Sequence, residues 1–335
     1  MRYIVIGGSG FVGVYTIRAI LDSIAANGGI ESSITESSAP QVVCLDLHKS
    51  KDLPDEVEFI QCDITQGCPV EFVSEDIVIH LAARAYAPKP PTRDLEHYFR
   101  EVNVRGTHNV LEAMLACGCK NLIYFSTDMV YGKPQYLPVD SRHQRKPFGW
   151  YGRSKVESES LIFAARERGL NATIFRPRII VGAGRYGILT KLFALVRHSL
   201  PVPMIGSGRN CYQMISVRDC ARAIVCAIAK GIPNAELNLG SHNPPSIREL
   251  LGTLITHAGS RSILVPTYAR GVKALLALLE SLGAPLMYRE QYMIADEQYI
   301  VDIARTMELL EWQPRESDSD MLLEAYEEYV RNLKP

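Results

Sequence analysis

Near the start of the chain, Ile4-Val5-Ile6-Gly7-Gly8-Ser9-Gly10-Phe11-Val12-Gly13 joins a branched apolar run to closely spaced glycines and then to a helical pattern. Gly8, Gly10 and Gly13 fit G-x-G-x-x-G, and Gly7, Gly10 and Gly13 also fit G-x-x-G-x-x-G. The glycines permit a tight turn, a close approach of backbone to a pyrophosphate, and close packing of helix on strand. The helix that follows supplies free N–H groups and partial positive charge to phosphates. An ordinary βα turn is the plainer alternative. A buried strand directly before and a helix directly after favour dinucleotide binding.

The rest of the first half continues the alternation. Apolar runs at 3–6, 41–45, 58–61, 77–80, 121–126 and 172–175 read as strands, several of them nearly continuous Ile, Val, Leu or Phe. Such runs suit strands buried on both faces. Helical patterns fall at 12–24, 99–116 and 154–168. The fold class expected is α/β: a Rossmann-type, doubly wound parallel sheet with a smaller C-terminal portion. We place an NAD-binding domain at 1–176 and a smaller substrate-binding domain at 177–335, where Pro and Gly punctuate shorter elements and complete the sheet. Residues 22–40 read as a polar, solvated insert. The apolar stretch 272–282 reads as a buried or subunit-contact helix rather than a membrane-surface one, because it carries one Lys and one Glu and no basic face.

Composition removes other classes. Among 335 residues, 36 basic side chains against 37 acidic give a net charge of −1, which offers no footprint for nucleic acid. At 47% hydrophobic the chain is too apolar for disorder. No run approaches the ~18 apolar residues of a membrane span. The first residues lack the shape of a signal peptide, so a soluble, cytoplasmic protein is expected. The cysteines, including Cys117 and Cys119, read as reduced thiols and not as a metal site.

Two further features carry chemistry. Asp46 ends the second strand, where a carboxylate accepts hydrogen bonds from a ribose 2′-hydroxyl and repels a 2′-phosphate, favouring NAD over NADP. Tyr151-Gly-Arg-Ser-Lys155 puts a phenol and an ammonium on one face if the stretch is helical. A phenol titrates near ~10, so its use as a base at neutral pH needs roughly 4 kcal/mol of preferential phenolate stabilisation. A neighbouring ammonium supplies part of that. Ser126-Thr127-Asp128 follows a buried strand and delivers a hydroxyl to the carboxyl end of the sheet, where such folds bind ligands.

With these residues in place the chain resembles the extended short-chain dehydrogenase/reductases, the NAD-dependent epimerase/dehydratase family of nucleotide sugars. The resemblance runs from residue 1 to about 240. It rests on the glycine loop, Asp63-Ile64, His80-Leu81-Ala82-Ala83, Asn103 in Val102-Asn103-Val104-Arg105-Gly106-Thr107, Ser126-Thr127-Asp128-Met129-Val130-Tyr131-Gly132, the Tyr151/Lys155 pair and Arg176-Pro177. It implies that Gly7, Gly10, Phe11, Val12 and Gly13 cradle NAD. Asp63 and Ile64 would border adenine, and Leu81, Ala82 and Ala83 the pyrophosphate and ribose, with Asn103 and Pro177 nearby. Lys155 would hold the nicotinamide ribose, Tyr151 would take a proton from a sugar hydroxyl, and Thr127 would hydrogen-bond the same oxygen. It also implies a homodimer pairing the 99–116 and 154–168 stretches.

The chain departs from that pattern on the substrate side. Ile179 stands where nucleotide-sugar enzymes often carry Asn, and Tyr212 where they often carry a diphosphate-gripping Arg. Arg84, Arg178, Arg185 and Arg209 are the candidates to grip substrate instead. In the sugar 4,6-dehydratases the Asp after Thr is followed by Glu, the base for elimination; here Met129 follows Asp128. A nucleotide-sugar epimerase with bound NAD is the leading expectation. A dehydrogenase or reductase of another alcohol or ketone (hydroxysteroid-like), a sugar dehydratase and a non-catalytic NAD sensor are the alternatives.

Overall fold

The structure is a computed structural model, and it describes residues 1–28, 41–86, 91, 93–184, 186–187 and 189–333. Its centre is a seven-stranded sheet built from β1 (Arg2–Ile6), β2 (Gln41–Asp46), β3 (Glu58–Gln61), β4 (Ile77–His80), β5 (Asn121–Phe125), β6 (Asn171–Pro177) and β10 (Glu236–Leu239). The order is β10-β6-β5-β4-β1-β2-β3, and every pairing is parallel. Chain order runs outward in both directions from β1. The switch point therefore lies between β1 and β4, where Ile6 pairs with His80, and ligands of open α/β sheets bind outside the carboxyl ends there.

Alternation along each strand explains the two-sided burial. Val5, Ile79, Ile123 and Phe125 face one layer, with α1 (Phe11–Gly28) packed on α6 (Val217–Ala229). Ile4, Ile6, Val78, Leu122 and Tyr124 face the other layer, with α3 (Thr107–Ala116) beside α4 (Trp150–Glu167). The chain leaves the sheet at Pro177 and returns for α6, β10 and α10 (Ala304–Leu310), so the sequence beyond 177 supplies two helices and one strand of the central body.

The smaller portion has its own core of Phe193, Met204, Met214, Leu254, Met321 and Tyr326. Two short parallel pairs lie in it: β7 (Ile179–Val181) with β9 (Met214–Ser216), and β8 (Val202–Ile205) with β11 (Leu264–Thr267). Around them stand α5 (Leu189–Arg197), α7 (Ile247–His257) and α11 (Asp318–Arg331), and α8 (Ala269–Ser281) packs on α9 (Arg289–Tyr292).

Some boundaries differ from those read in the sequence. The first helix runs through Gly28, because Ile24 still packs on the core and Ala25 and Ala26 favour helix; the remainder of the expected insert, 29–40, lies outside the described residues. The 99–116 stretch divides into α2 (Leu95–Arg100), a π-helical turn (Glu101–Gly106) and α3. The stretch at 272–282, expected to be a buried or subunit-contact helix, is not buried within the chain. On α8 only Leu276 is buried, while Leu275 and Leu278 stand out at 55% exposure each. Among the described residues no helix is long and apolar enough to cross a membrane.

Candidate active site

The glycine turn sits at the carboxyl end of β1. Gly7 N donates to Leu45 O on one side, and Leu81 N and Ala82 N donate to Ile6 O on the other. Gly7 adopts φ +83°, and a Cβ there would stand 2.5 Å from Ala82 N. A Cβ on Gly13 would meet Gly7 O at 2.3 Å. The turn thus packs backbone to backbone against the loop after β4, and α1 begins directly at Phe11. A pyrophosphate can approach such a cradle closely, and the unpaired N–H groups of a first helical turn face it. The residues present therefore fit NAD. Phe11 lies against the 182–184 segment of the smaller portion, with its ring 3.5 Å from where a Gly182 Cβ would be.

Asp46 reaches this turn from β2, accepting from Ser9 N at 3.0 Å and Leu47 N at 2.7 Å. Asp63 is exposed after β3 and closes a local turn by accepting from Thr65 N and Oγ1, which holds its carboxyl below the usual range. Ile64 is buried against Gly106. Pro177 is buried at the end of β6.

Tyr151 and Lys155 lie one turn apart on α4, as the spacing requires. Tyr151 is half-buried, its ring centroid 5.8 Å from Tyr86 and 5.7 Å from Phe99. Lys155 is 2% exposed, and its Nζ donates to Phe125 O at 2.8 Å and Tyr124 Oη at 3.1 Å. Burial pushes this ammonium down to about 7, against the pull of Glu159. The end of β5 thus fixes the lysine head beneath the phenol's helix. Thr127 follows β5 and caps a short 3-10 turn (Asp128–Val130), with Oγ1 accepting from Met129 N at 3.2 Å. That turn packs on α4, where a Cβ at Gly152 would lie 2.8 Å from Met129 O. The 3-10 turn is thereby brought against the first turn of α4, which carries Tyr151.

Several expected contacts fall elsewhere. Arg178, one of the candidates to grip substrate, is 2% exposed and ion-paired with buried Asp128. Its guanidinium lies 4.1 Å over the Tyr299 ring and 4.8 Å over the Tyr212 ring, while Nε and Nη2 find no hydrogen-bond partner among the described residues. Asn103 is fully buried and bonds Arg84 N, Arg84 O and Ser154 Oγ, so it holds the loop after β4 to α4. Arg84 itself pairs with Glu101 at 2.6 Å. Arg209 is exposed, and Arg185 lies outside the described residues.

Sequence reasoning missed Glu290 and Tyr86. The Glu290 carboxylate accepts from Gly152 N at 2.9 Å and from Tyr86 Oη at 2.7 Å. With Gly152 and Glu290 138 positions apart, no local pattern links them.

Comparison with known proteins agrees with this geometry. The model of the NAD dependent epimerase/dehydratase family matches residues 3–240. The chain is 35% identical over 263 residues to uncharacterized protein y4nG of Sinorhizobium fredii, a match covering 77% of this chain and 64% of that one. It is 27% identical over 263 residues to the dTDP-D-glucose 4,6-dehydratase of Mus musculus, covering 76% and 72% of the two chains. The fold matches that of UDP-glucuronic acid 4-epimerase from Bacillus cereus, solved with NAD, at TM-score 0.75 and 21% identity, covering 100% and 98%. A glycine cradle at the switch point, a Tyr/Lys pair one turn apart and a family match over most of the sheet converge: the chain belongs to the NAD-dependent epimerase/dehydratase family of enzymes, with NAD as its cofactor.

Proposed function

We propose that this protein is a nucleotide-sugar epimerase that oxidises a sugar carbinol transiently and restores it with inverted configuration. Bound NAD supplies the chemistry of accepting a hydride from the sugar carbon and giving it back. Gly7, Gly10, Phe11, Val12 and Gly13 would hold its pyrophosphate, with Leu81, Ala82 and Ala83 alongside. Asp46, Asp63 and Ile64 would hold its adenosine end, and Lys155 the nicotinamide ribose. Tyr151 takes the proton from the sugar hydroxyl as the hydride leaves, and returns it afterwards. The Lys155 ammonium favours the phenolate that this requires. Thr127 hydrogen-bonds the reacting oxygen and keeps it near the phenol. The portion built from 177–335 would recognise the sugar and its nucleotide, with Arg209 and Arg185 as diphosphate contacts.

One observation carries the choice of epimerase over dehydratase: the buried ion pair between Asp128 and Arg178. Loss of water from the sugar needs an acid for the departing hydroxyl and a base for the carbon-bound proton. Asp128 is tied to a guanidinium that does not release its proton. Met129, at the position of the base, offers a thioether that cannot take a proton from carbon. A general base typically contributes about 10²–10⁴-fold.

The test is incubation of the NAD-loaded protein with a panel of nucleotide hexoses and uronates, read by mass spectrometry and proton NMR. Epimers of unchanged mass, formed without added cofactor, support the proposal. A product 18 daltons lighter would replace it with a dehydratase, and turnover only with stoichiometric NAD or NADH would replace it with a net dehydrogenase.

A further inference from the structure

Helix α4 carries the phenol and the ammonium, yet it begins without a cap of its own. Its N-cap residue is Gly149, no side chain of its own caps it, and its first turn holds no acidic residue. A helix start leaves N–H groups that need acceptors, and a carboxylate there is favoured by hydrogen bonding and by the helix dipole. Glu290 supplies that acceptor from α9. Its Oε1 takes the Gly152 N–H at 2.9 Å. Both glycines make room for it: a Cβ at Gly149 would lie 2.6 Å from Oε1, and one at Gly152 3.3 Å.

The second carboxylate oxygen faces the phenol's neighbour. Oε2 accepts from Tyr86 Oη at 2.7 Å. The Tyr86 ring stands edge-on to Tyr151 at 5.8 Å and stacks on Tyr288 at 4.3 Å and 16°. Glu290 is 1% exposed, and burial pushes its carboxyl up while Tyr86 and the backbone N–H groups pull it down. A desolvated carboxylate is costly to keep, and this one is spent on the first turn of the catalytic helix and on the ring beside Tyr151. We propose that Glu290 is a positioning residue for Tyr151: it caps α4 from the C-terminal segment and, through Tyr86, sets the plane and reach of the phenol. A proton-transferring group must sit within about 2.6–3.2 Å of its target, and a misplacement near 1 Å costs about 10²-fold.

The experiment compares NAD-loaded wild type, Glu290→Ala, Glu290→Gln and Tyr86→Phe. The kinetic arm rests on the epimerase reading; the other two arms do not. Glu290→Ala should lower kcat about 10–10²-fold with little change in KM, whereas Glu290→Gln, which keeps an acceptor for Gly152 and a partner for Tyr86, should recover most of it. Tyr86→Phe should fall between them. In tyrosine labelled with 13C at Cζ, the Tyr151 resonance (assigned through Tyr151→Phe) should shift in Glu290→Ala and return in Glu290→Gln. Amide deuterium exchange should quicken at 149–156 in Glu290→Ala and stay unchanged in β1–β5.

A Tyr151 resonance and an α4 start that ignore Glu290→Ala overturn the proposal, whatever the substrate. Exchange that quickens throughout the sheet also overturns it, reducing Glu290 to general stability. If wild type turns over no nucleotide sugar, the epimerase reading falls while the resonance and exchange arms still decide the role of Glu290.

Discussion

At the residue scale the site depends on what burial does to Lys155. An ammonium that titrates near 10.4 in an unfolded chain is held to about 7 in the fold. Between those values the unfolded chain binds a proton that the folded chain does not, so stability rises with pH across the window and levels off above it. Each pH unit is worth at most about 1.4 kcal/mol. Cofactor-free wild type should therefore gain more in urea midpoint between about pH 7.5 and about pH 9 than Lys155→Met, which has no proton to lose. Equal gains would mean that the ammonium stays charged in place. In the assay, Tyr151→Phe should lose about 10²–10⁴-fold in turnover with NAD affinity nearly intact, since it removes only the transferable proton. Lys155→Ala should damage both turnover and NAD affinity. Substantial activity in Tyr151→Phe would put the catalytic base elsewhere.

At the element scale the end of β2 and the glycine turn act as one piece. On the proposed placement of NAD, Asp46 puts a negative charge where a 2′-phosphate would sit, and it accepts the Ser9 N–H from the turn. Asp46→Ala should narrow the preference for NAD over NADP while weakening NAD itself, because the turn loses an anchor. Titration of both cofactors by fluorescence checks this, and tighter NADP binding by wild type would overturn it. Such elements were legible because local pattern decides them. Branched runs such as Ile77–His80 buried on both faces could only be parallel strands, and glycine spacing marked the turn. Tyr151 and Lys155 were legible because four residues make one helical turn. The π-helical turn was not, since nothing in Glu101–Gly106 departs from ordinary helical spacing. Nor were two tertiary pairs: Arg178 and Asp128 meet because β5 and β6 pair in register, and Glu290 reaches Gly152 only once the chain beyond 177 folds back over the sheet. The exposed side of α8 was hidden for a different reason: apolar periodicity reports a face, not what covers it.

At the scale of the whole molecule two surfaces are candidates to join copies of the chain. One is the outer side of α2, the π-helical turn and the adjoining faces of α3 and α4, where a groove of about 580 Å³ is lined by Glu96, Arg100, Glu101, Arg105 and His108 with Val104 and Leu161. The other is the apolar stripe on and after α8, with Leu282 71% and Leu286 55% exposed beside Leu275 and Leu278. Apolar exposure alone favours α8. The catalytic geometry favours the first surface. The inward side of α4 carries Tyr151 and Lys155, so a partner across its outward side would stiffen the helix whose position sets the proton transfer. A stable dimer needs roughly 1,200–2,000 Å² of total buried surface, which two helices from each subunit can supply. In a two-fold interface each substitution counts twice, because the same patch faces its own copy. We therefore expect a homodimer at micromolar concentration by light scattering. Leu161→Glu should convert it to a monomer, and Leu275→Glu with Leu278→Glu should leave it intact. A monomeric wild type would refute the dimer, and dissociation by the α8 pair alone would move the interface to that stripe.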